Sequence, residues 1–177
     1  MNGITTRAAA ATDIPAITAI YGEQVDHGTA TFEVVAPDEA EMATRMAALV
    51  DAGYPYFVAC EGSTVVGFGY AGPYRPRFAY RTTVEDSIYL APGARGRGIG
   101  GMLLRLLIDA CASGGFRQMI AVIGDQQNQA SIRLHSAAGF VLVGTLKKVG
   151  YKQGRWLDSV LMQRPIGDGD SPAPPRA

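Results

Sequence analysis

The sequence predicts a mixed α/β domain, in which a mostly antiparallel central sheet is flanked by helices. Between residues 56 and 91, three strand-like segments follow one another through short connections, so neighbouring strands must run antiparallel. Residues 83–124 then have the pattern of a strand, a helix and a strand, which makes one parallel crossover. The complete predicted order is β-α-α-β-β-β-α-β-α-β-β.

The first half of the chain predicts one strand and two helices. Residues 4–9 form the strand, and Thr12 or Asp13 can cap the helix that follows. Residues 27–35 break that helix, and a second helix follows Pro37. The apolar residues at helical spacing are Ile14, Ile17, Ile20 and Tyr21 in the first helix and Met42, Met46 and Leu49 in the second.

The second half predicts six strands and two helices. Glu61, Gly62 and Ser63 lie between the first two strands and are typical of a hairpin. The first helix has an apolar stripe and stops at two glycines, and Asn128 is a favourable N-cap for the second. The predicted strands cover 56–60, 64–72, 83–91, 119–124, 140–151 and 155–164, and the predicted helices lie within 98–115 and 128–139.

The composition fits one globular domain. Of the 177 residues, 47% are hydrophobic and 18% are charged, which argues against a disordered chain. Sixteen basic residues balance sixteen acidic ones, and this neutrality disfavours a nucleic-acid-binding protein. We assign the domain to residues 1–166 and expect the Pro-, Gly- and Asp-rich residues 167–177 to be a disordered tail.

Several features predict a cytoplasmic protein that does not bind membranes. No apolar stretch approaches the roughly 18 residues of a membrane helix, and the first residues lack the pattern of a secretory signal. Cys60 and Cys111 lie in apolar surroundings without the spacing of metal ligands. We therefore expect buried structural thiols and no metal site.

The stretch ARGRGIGG, residues 94–101, fits two ligand-binding patterns. Its glycines satisfy G-x-G-x-x-G, the fingerprint of dinucleotide-binding folds, and it also contains R-x-x-G-x-G. The dinucleotide interpretation requires a repeated βαβ unit, whereas this loop follows three antiparallel strands and precedes one crossover. The acidic partner of that fingerprint has one candidate, Asp125. The remaining interpretations are a loop that binds a pyrophosphate at a helix start and a glycine-rich helix entry with two solvated arginines.

A series of further motifs occurs in order along the chain. They are IYGEQV, TATFE, YAGPYRPRFAY, TVEDSIYL, MIAVIG, N-x-x-SIRLH-x-x-x-GF and VGYK-x-GRWLD. Together with TVEDSIYLAPGARGRGIGGMLL, they resemble the GCN5-related N-acetyltransferases (GNAT), and within them the phosphinothricin and methionine sulfoximine acetyltransferase subfamily. The resemblance covers about residues 4–166 and does not reach the tail.

The resemblance implies acetyl-CoA as the cosubstrate, bound where the glycine loop enters its helix. Backbone N–H groups of the loop would face the phosphates, and Arg95 and Arg97 would add positive charge. The strand before the loop would offer backbone groups to the pantetheine arm and the thioester carbonyl. The cofactor residues so predicted are Ile88, Tyr89, Leu90, Arg95, Gly96, Arg97, Gly98, Ile99, Gly100, Gly101 and Asn128, the last of which also fits a helix N-cap.

Glu85 and His135 are the candidate catalytic residues. Glu85 lies on the central strand, and the resemblance supports it as the general base for the amine, acting directly or through ordered water. Strand alternation places Glu85 and Asp86 on opposite faces unless a bulge intervenes. His135 stands five residues before Phe140, where many members of the superfamily have a tyrosine acid. Acid, base and structural roles all stay open for this imidazole.

The stretch YAGPYRPRFAYR, residues 70–81, is rich in arginine and tyrosine. A guanidinium matches a carboxylate in two-point geometry, although a solvated charged loop is the alternative. The resemblance implies that the acceptor site is lined by Arg75, Pro76, Arg77, Glu85, Asp86 and Ser87, with Phe32 and Glu33 closing one side.

The predicted function is acetyl transfer from acetyl-CoA to the α-amine of a small amino-acid-like acceptor, such as phosphinothricin, methionine sulfoximine or methionine sulfone. An α-amine has a pKa of about 8 and a lysine amine about 10.4, so the first is easier to deprotonate at neutral pH. We expect direct transfer in a ternary complex, because neither cysteine has the setting of an acyl carrier. The alternatives are another amine acceptor (a polyamine, an aminoglycoside or a protein N-terminus) and a non-catalytic acetyl-CoA sensor.

The late signature VGYKQGRWLD lies near the subunit junction in related homodimers, so the resemblance implies a homodimer. The signature contains Lys152, Arg155, Trp156 and Asp158. Core packing of the tryptophan is the alternative.

Overall fold

The structure, a computed structural model, describes residues 3–169. Its strands and helices follow the predicted order. The strands are Ile4–Ala8 (β1), Tyr56–Glu61 (β2), Thr64–Pro73 (β3), Thr83–Leu90 (β4), Gln118–Gly124 (β5), Val141–Lys152 (β6) and Arg155–Pro165 (β7). The helices are Ile14–His27 (α1), Glu39–Asp51 (α2), Ile99–Ser113 (α3) and Gln129–Ala137 (α4).

The strands form one seven-stranded sheet in the order β1-β2-β3-β4-β5-β7-β6. Only β4 and β5 run parallel, and α3 makes the crossover between them. The other neighbours are antiparallel. The predicted fold class, a mixed and mostly antiparallel sheet with flanking helices, is therefore confirmed.

The two parallel strands separate halfway along their length. Their pairing runs from Thr83 opposite Gln118 to Asp86 opposite Ala121 and stops there. Beyond that point β4 stays paired with β3, and β5 stays paired with β7. The middle of the sheet is consequently open at the carboxyl ends of β4 and β5. We call this opening the β4–β5 cleft.

Apolar residues cover both faces of the sheet. On one face, α1 and α2 pack through residues such as Ile17 against Phe68 and Tyr89. On the other face, Leu104 and Leu107 of α3 pack against Val84. Because successive side chains of β4 point to opposite faces, this strand contributes to both cores.

The ordered structure continues slightly past the predicted domain boundary. Ile166 is buried in the core under α3, and its N–H donates to the carbonyl of Arg117 at 2.9 Å. The Arg117 side chain donates to the carbonyl of Asp168 at 2.7 Å. Residues 167–169 thus form a turn rather than the start of a disordered tail. The rest of the predicted tail, 170–177, lies outside the described residues.

Candidate active site

Glu85 lies at the middle of the sheet, on the face covered by α1 and α2. It shares this face with Ser87 and Tyr89, in keeping with strand alternation. Burial raises the pKa of the Glu85 carboxyl to about 7, with Arg75 opposing the shift and Asp86 adding to it. At neutral pH, the group is therefore poised to accept a proton.

The loop between β3 and β4 brings Arg75 close enough to the Glu85 carboxylate to oppose the rise of its pKa. The guanidinium of Arg75 stacks over the ring of Tyr74 at 4.4 Å, and the Tyr74 and Tyr80 rings meet edge to face at 5.8 Å. An open cavity of about 350 Å³ is lined by Arg75, Pro76, Arg77 and Tyr80. Arg81, in contrast, lies over the ring of Phe78 at 4.5 Å. Arg75 and Arg77 thus line one cavity, and their role as acceptor-binding residues stays a prediction.

Phe32 lies against backbone near the carboxyl end of β5. A Cβ atom at Gly124 or Gly150 would come within 3.2 Å or 2.7 Å of its ring, so only glycine leaves room for Phe32. The carboxylate of Glu33 pairs with Arg45 of α2 at 2.7 Å. Phe32 and Glu33, which the resemblance places at one side of the acceptor site, are thus positioned by packing against Gly124 and Gly150 and by the ion pair with α2.

Lys152 anchors the same loop. Its ammonium is buried and donates to the carbonyl of Thr31 at 2.8 Å and to that of Gln24 at 3.2 Å. Burial lowers the pKa of Lys152. Nearby, Arg155 contacts Asp125, which also accepts from the N–H of Gln127 at 3.0 Å. Asp125 is thus occupied by local partners, which argues further against the dinucleotide interpretation.

The resemblance implies that Asp86 lines the acceptor site, but its side chain lies on the face opposite Glu85. As alternation predicts, its side chain points to the opposite face from Glu85, where it is buried. Its Oδ2 lies 3.0 Å from Nε2 of His135, which is also buried. The imidazole therefore does not open onto the cavity near Arg75, because Asp86 holds it on the other side of the sheet.

Two of the three predicted backbone contacts on β4 face the β4–β5 cleft. The N–H of Ala91 donates to the carbonyl of Val66 on β3 at 3.0 Å. Main-chain groups alternate in direction along an antiparallel pair, so Tyr89 also faces β3. The main-chain groups of Ile88 and Leu90 then point the other way, into the cleft. The main-chain groups of Tyr89 do not face the cleft, and its side chain is buried in the core, so its predicted contact with the cofactor is not available.

The glycine loop has the backbone expected of a ligand-binding turn. Gly96 and Gly98 have φ angles of 74° and 80°, and a Cβ atom on either would meet nothing within 4 Å. The first turn of α3 follows at Ile99, which with Gly100 is buried. The open glycine positions and the start of the helix together leave room for an anion.

The two arginines of the loop differ. Arg97 makes a two-point ion pair with Glu61 at 3.0 Å and 2.7 Å, so its charge is already shared with the turn between β2 and β3. Arg95 is exposed and makes no ion pair with any residue in the described range. Asn128 caps α4 by accepting from the N–H of Ser131 at 3.2 Å, as its alternative interpretation predicts.

Three residues near the site were missed from the sequence. Tyr70 lies opposite Ser87 on β3, Arg45 holds Glu33, and the carbonyl of Ser131 holds His135. Alternation along β3 is a signal that could have placed Tyr70 beside Glu85. Helical spacing could have placed Ser131 one turn before His135. No local signal marks Arg45 as the partner of Glu33, because the two belong to different segments.

Within residues 3–169, no group of three or more His, Cys, Asp or Glu side chains is placed to hold a metal ion. No helix of that range combines the length and the apolar character needed to cross a bilayer.

The chain belongs to the acetyltransferase (GNAT) family, whose family model matches residues 20–140. It is thus an enzyme of the N-acetyltransferase class. A phosphinothricin N-acetyltransferase from Alcaligenes faecalis is 55% identical over 162 residues, which cover 92% of this chain and 82% of the relative. An L-methionine sulfoximine/L-methionine sulfone acetyltransferase from Pseudomonas paraeruginosa is 39% identical over 158 residues, covering 89% and 91%.

A solved structure shares both the fold and the sequence pattern. It is a GNAT-superfamily phosphinothricin acetyltransferase from Sinorhizobium meliloti in complex with AcCoA. The two structures superpose with a TM-score of 0.94 at 51% identity, covering 99% of this chain and 94% of the other.

Proposed function

We propose that this enzyme transfers the acetyl group of acetyl-CoA to the α-amine of a small amino-acid-like acceptor, of the phosphinothricin, methionine sulfoximine or methionine sulfone type. The observation that carries the proposal is Glu85, whose pKa is raised by burial to about 7 against the opposing charge of Arg75, a residue that lines a cavity with Arg77. The names of the relatives support the same acceptor class.

The residues present fit acetyl-CoA at the β4–β5 cleft and the glycine loop. Gly96 and Gly98 leave open space next to the N-terminus of α3, where N–H groups favour phosphate, and Arg95 is free to add a charge. Ile88 and Leu90 would hold the pantetheine arm and the thioester carbonyl through their main-chain groups. When bound there, acetyl-CoA supplies an activated acetyl thioester.

The acceptor would bind with its carboxylate toward the guanidinium groups of Arg75 and Arg77. This cationic pair suits an anionic amino acid and disfavours polyamines and aminoglycosides, which carry positive charge. Glu85 would take the proton from the α-amine, directly or through a water molecule. Its carboxylate is about half ionised at pH 7, given a pKa of about 7.

Transfer would be direct, within a ternary complex. Cys60 and Cys111 are both buried, and burial raises the pKa of the Cys111 thiol to about 12. A thiol must ionise and be accessible to carry an acyl group. Neither cysteine therefore has the properties of an acyl carrier.

The test is a thiol-release assay with acetyl-CoA, which offers phosphinothricin, methionine sulfoximine and methionine sulfone beside spermidine and an aminoglycoside. We expect turnover with the first three only. Turnover confined to the cationic acceptors would overturn the acceptor assignment, and binding of acetyl-CoA without any turnover would favour a sensor. Resistance to phosphinothricin, which we propose as a consequence, is tested by expressing the gene in a sensitive bacterium.

We further propose that the protein acts as a cytoplasmic homodimer. Two unpaired buried cysteines suit a reducing compartment. The edge strand β6 and its hairpin expose a run of apolar side chains, which favours burial against a second copy. Those more than half exposed are Val141, Leu142, Val143, Val149, Tyr151 and Trp156. The exposure of Trp156 argues against its alternative interpretation as a core residue, and cell fractionation tests the location.

A further inference from the structure

Asp86 and His135 form a buried pair that the proposed chemistry does not use. Their exposed fractions are 6% and 4%. The Nε2 atom of His135 lies 3.0 Å from Oδ2 of Asp86, and Nδ1 lies 2.8 Å from the carbonyl oxygen of Ser131. The other carboxylate oxygen, Oδ1 of Asp86, is buried and has no hydrogen-bond partner among residues 3–169. The ring of Phe140 meets the imidazole edge to face at 5.0 Å.

The contacts fix the number of protons on this pair. The Ser131 carbonyl, 2.8 Å from Nδ1, can only accept, so this shorter contact assigns a proton to Nδ1. The Ser131 hydroxyl, 3.3 Å from the same nitrogen, can then only accept from it. A second proton lies between Nε2 and Oδ2, and the pair is neutral overall whichever of these atoms holds it. Loss of that proton would leave an unbalanced anion, and gain of another would leave an unbalanced cation. Either is costly for buried groups.

Few other titratable groups face the pair. Glu85 neighbours Asp86 on β4 but points to the other face of the sheet. Cys111 of α3 is close enough to Asp86 for the carboxylate to help raise the thiol's pKa, and it is un-ionised at neutral pH. From β7, Arg164 donates to the carbonyl of Ala138 at the end of α4. The buried apolar cluster on this face includes Ala121 and Ile123 of β5. Burial alone would lower the pKa of His135, but Asp86 raises it above the usual value.

The pair lies where β4 and β5 separate. Asp86 is the last residue of β4 that pairs with β5, so it marks the closed end of the β4–β5 cleft. His135 belongs to the last turns of α4. The hydrogen bond between them therefore ties α4 to β4 at the point where the two strands separate.

We propose that Asp86 and His135 are a positioning pair, which keeps its protons throughout turnover and fixes the closed end of the β4–β5 cleft. His135 then carries no proton to or from the reacting groups. This inference rests on the proposed function only in assigning the cleft to acetyl-CoA.

The first test observes the imidazole directly. The chain has two histidines, and His27 is exposed, so it is an internal control. We would record ¹H–¹⁵N NMR spectra from about pH 5.5 to 9, with the exposed His27 as the reference imidazole in the same spectra. The His135 resonances should stay constant, with and without acetyl-CoA. Titration of His135 within this range would overturn the proposal.

The second test separates a proton carrier from a positioning residue. In the variant Asp86→Asn, the amide can donate to Nε2 while Nδ1–H still donates to Ser131, so the geometry is kept and the extra proton is lost. We expect kcat within about threefold of wild type and an unchanged pH profile. A loss of about 100-fold or more, or a shifted profile, would show that His135 transfers protons.

The third test breaks the hydrogen bond between the two residues and compares the result with Asp86→Asn, which keeps it. The double variant Asp86→Asn with His135→Leu does this and leaves no buried charge unpaired. Calorimetric titration should show acetyl-CoA binding weakened by about tenfold or more, while the acceptor KM changes little. Binding equal to that of Asp86→Asn would overturn the positioning role. Because the spectra and the titration need no acceptor, an enzyme that turned over none of the proposed amino acids would refute the acceptor assignment and leave these results intact.

Discussion

At the scale of single residues, the active site depends on how β4 distributes two adjacent carboxylates. Glu85 and Asp86 point to opposite faces of the sheet, and their surroundings differ accordingly. Glu85 has no basic group in hydrogen-bonding contact within the described residues and has a pKa raised to about 7 by burial. Asp86 is locked to His135. Strand β4 thus carries one carboxylate, Glu85, that can exchange protons and a second one, Asp86, whose proton is held in the pair with His135.

Removing the carboxylate of Glu85 should remove the base without removing the cosubstrate. For Glu85→Gln we expect kcat/KM to fall by about 10² to 10⁴, the usual contribution of a general base, and acetyl-CoA affinity to stay within about twofold. Steady-state kinetics and calorimetry measure the two quantities. Glu23→Gln, on the outer part of α1, is the matched control and should behave as wild type. Undiminished turnover in Glu85→Gln would exclude Glu85 as the base.

The same carboxylate should set the acid side of the pH profile. A base must be ionised to act, and a pKa of about 7 leaves Glu85 protonated in acid. We expect kcat/KM to rise with pH to a plateau, with the midpoint of the rise near pH 7. In Glu85→Gln the residual kcat/KM should no longer rise with pH in this range. A rise with the same midpoint in that variant would show that another group causes the pH dependence.

Burial of Glu85 should also lower the free energy of unfolding as pH rises from about 4.5 through 7. Its pKa is raised from 4.5 to about 7 on folding, so the stability it contributes is present below pH 4.5 and is lost as pH rises toward 7. Glu85→Gln cannot ionise, and we expect it to gain about 2–3 kcal/mol over wild type between pH values of about 5 and 8. Urea unfolding at both pH values measures this, with Glu23→Gln showing no such gain.

At the scale of elements, α3 connects the parallel strands and begins at the glycine loop. Its N-terminus follows Gly98, and its C-terminus is followed by Gly114 and Gly115. Gly98 and Gly115 have nearly equal φ angles, 80° and 81°, and both have open space around a would-be Cβ atom. They therefore impose the same backbone demand at opposite ends of one helix.

This symmetry separates backbone strain from ligand binding. Valine at either position should cost about 1–3 kcal/mol, because the left-handed backbone strains a branched side chain. We expect Gly98→Val also to abolish detectable acetyl-CoA binding, whereas Gly115→Val should bind as wild type. Thermal unfolding and calorimetric titration of the two variants give both quantities. Retained binding by Gly98→Val would show that the loop is not the phosphate site.

At the scale of the whole molecule, the two edges of the sheet are unequal. The β1 edge is a short strand with an arginine engaged by Asp13. The β6 edge is a twelve-residue strand with exposed apolar side chains. The β6 edge also borders a second cleft of about 240 Å³, lined in part by Val143, Thr83 and Tyr80. Because Tyr80 also lines the cavity of Arg75 and Arg77, a partner on this edge would lie next to the proposed acceptor site.

Charges placed on the β6 edge should separate the proposed dimer. For the wild type, light scattering should give about twice the 18.7 kDa of one chain. The double variant Leu142→Lys with Val149→Lys should give the mass of a single chain, because lysines would be buried without partners. Val50→Lys, on the half-exposed surface of α2, is the control and should remain dimeric. A monomeric wild type would refute the dimer.

Much of the fold could be predicted because it depends on local patterns. The alternation in β4 and the apolar spacing of α1 and α3 specify which side chains share a face. Caps were less certain, because a polar side chain has several possible partners. Asp13 was a candidate cap for α1, but it binds Arg7 and the N–H of Ala10 instead. Asn128 does cap α4, as predicted.

The sequence by itself determined the order of the elements, the glycine loop at the start of α3 and the opposite orientations of Glu85 and Asp86. Only the tertiary structure decided the partners of charged side chains. Arg97 pairs with Glu61, 36 residues away, and His135 pairs with Asp86, 49 residues away. Local periodicity fixes which way a side chain points, whereas its partner depends on which distant segments the sheet and its crossover bring together.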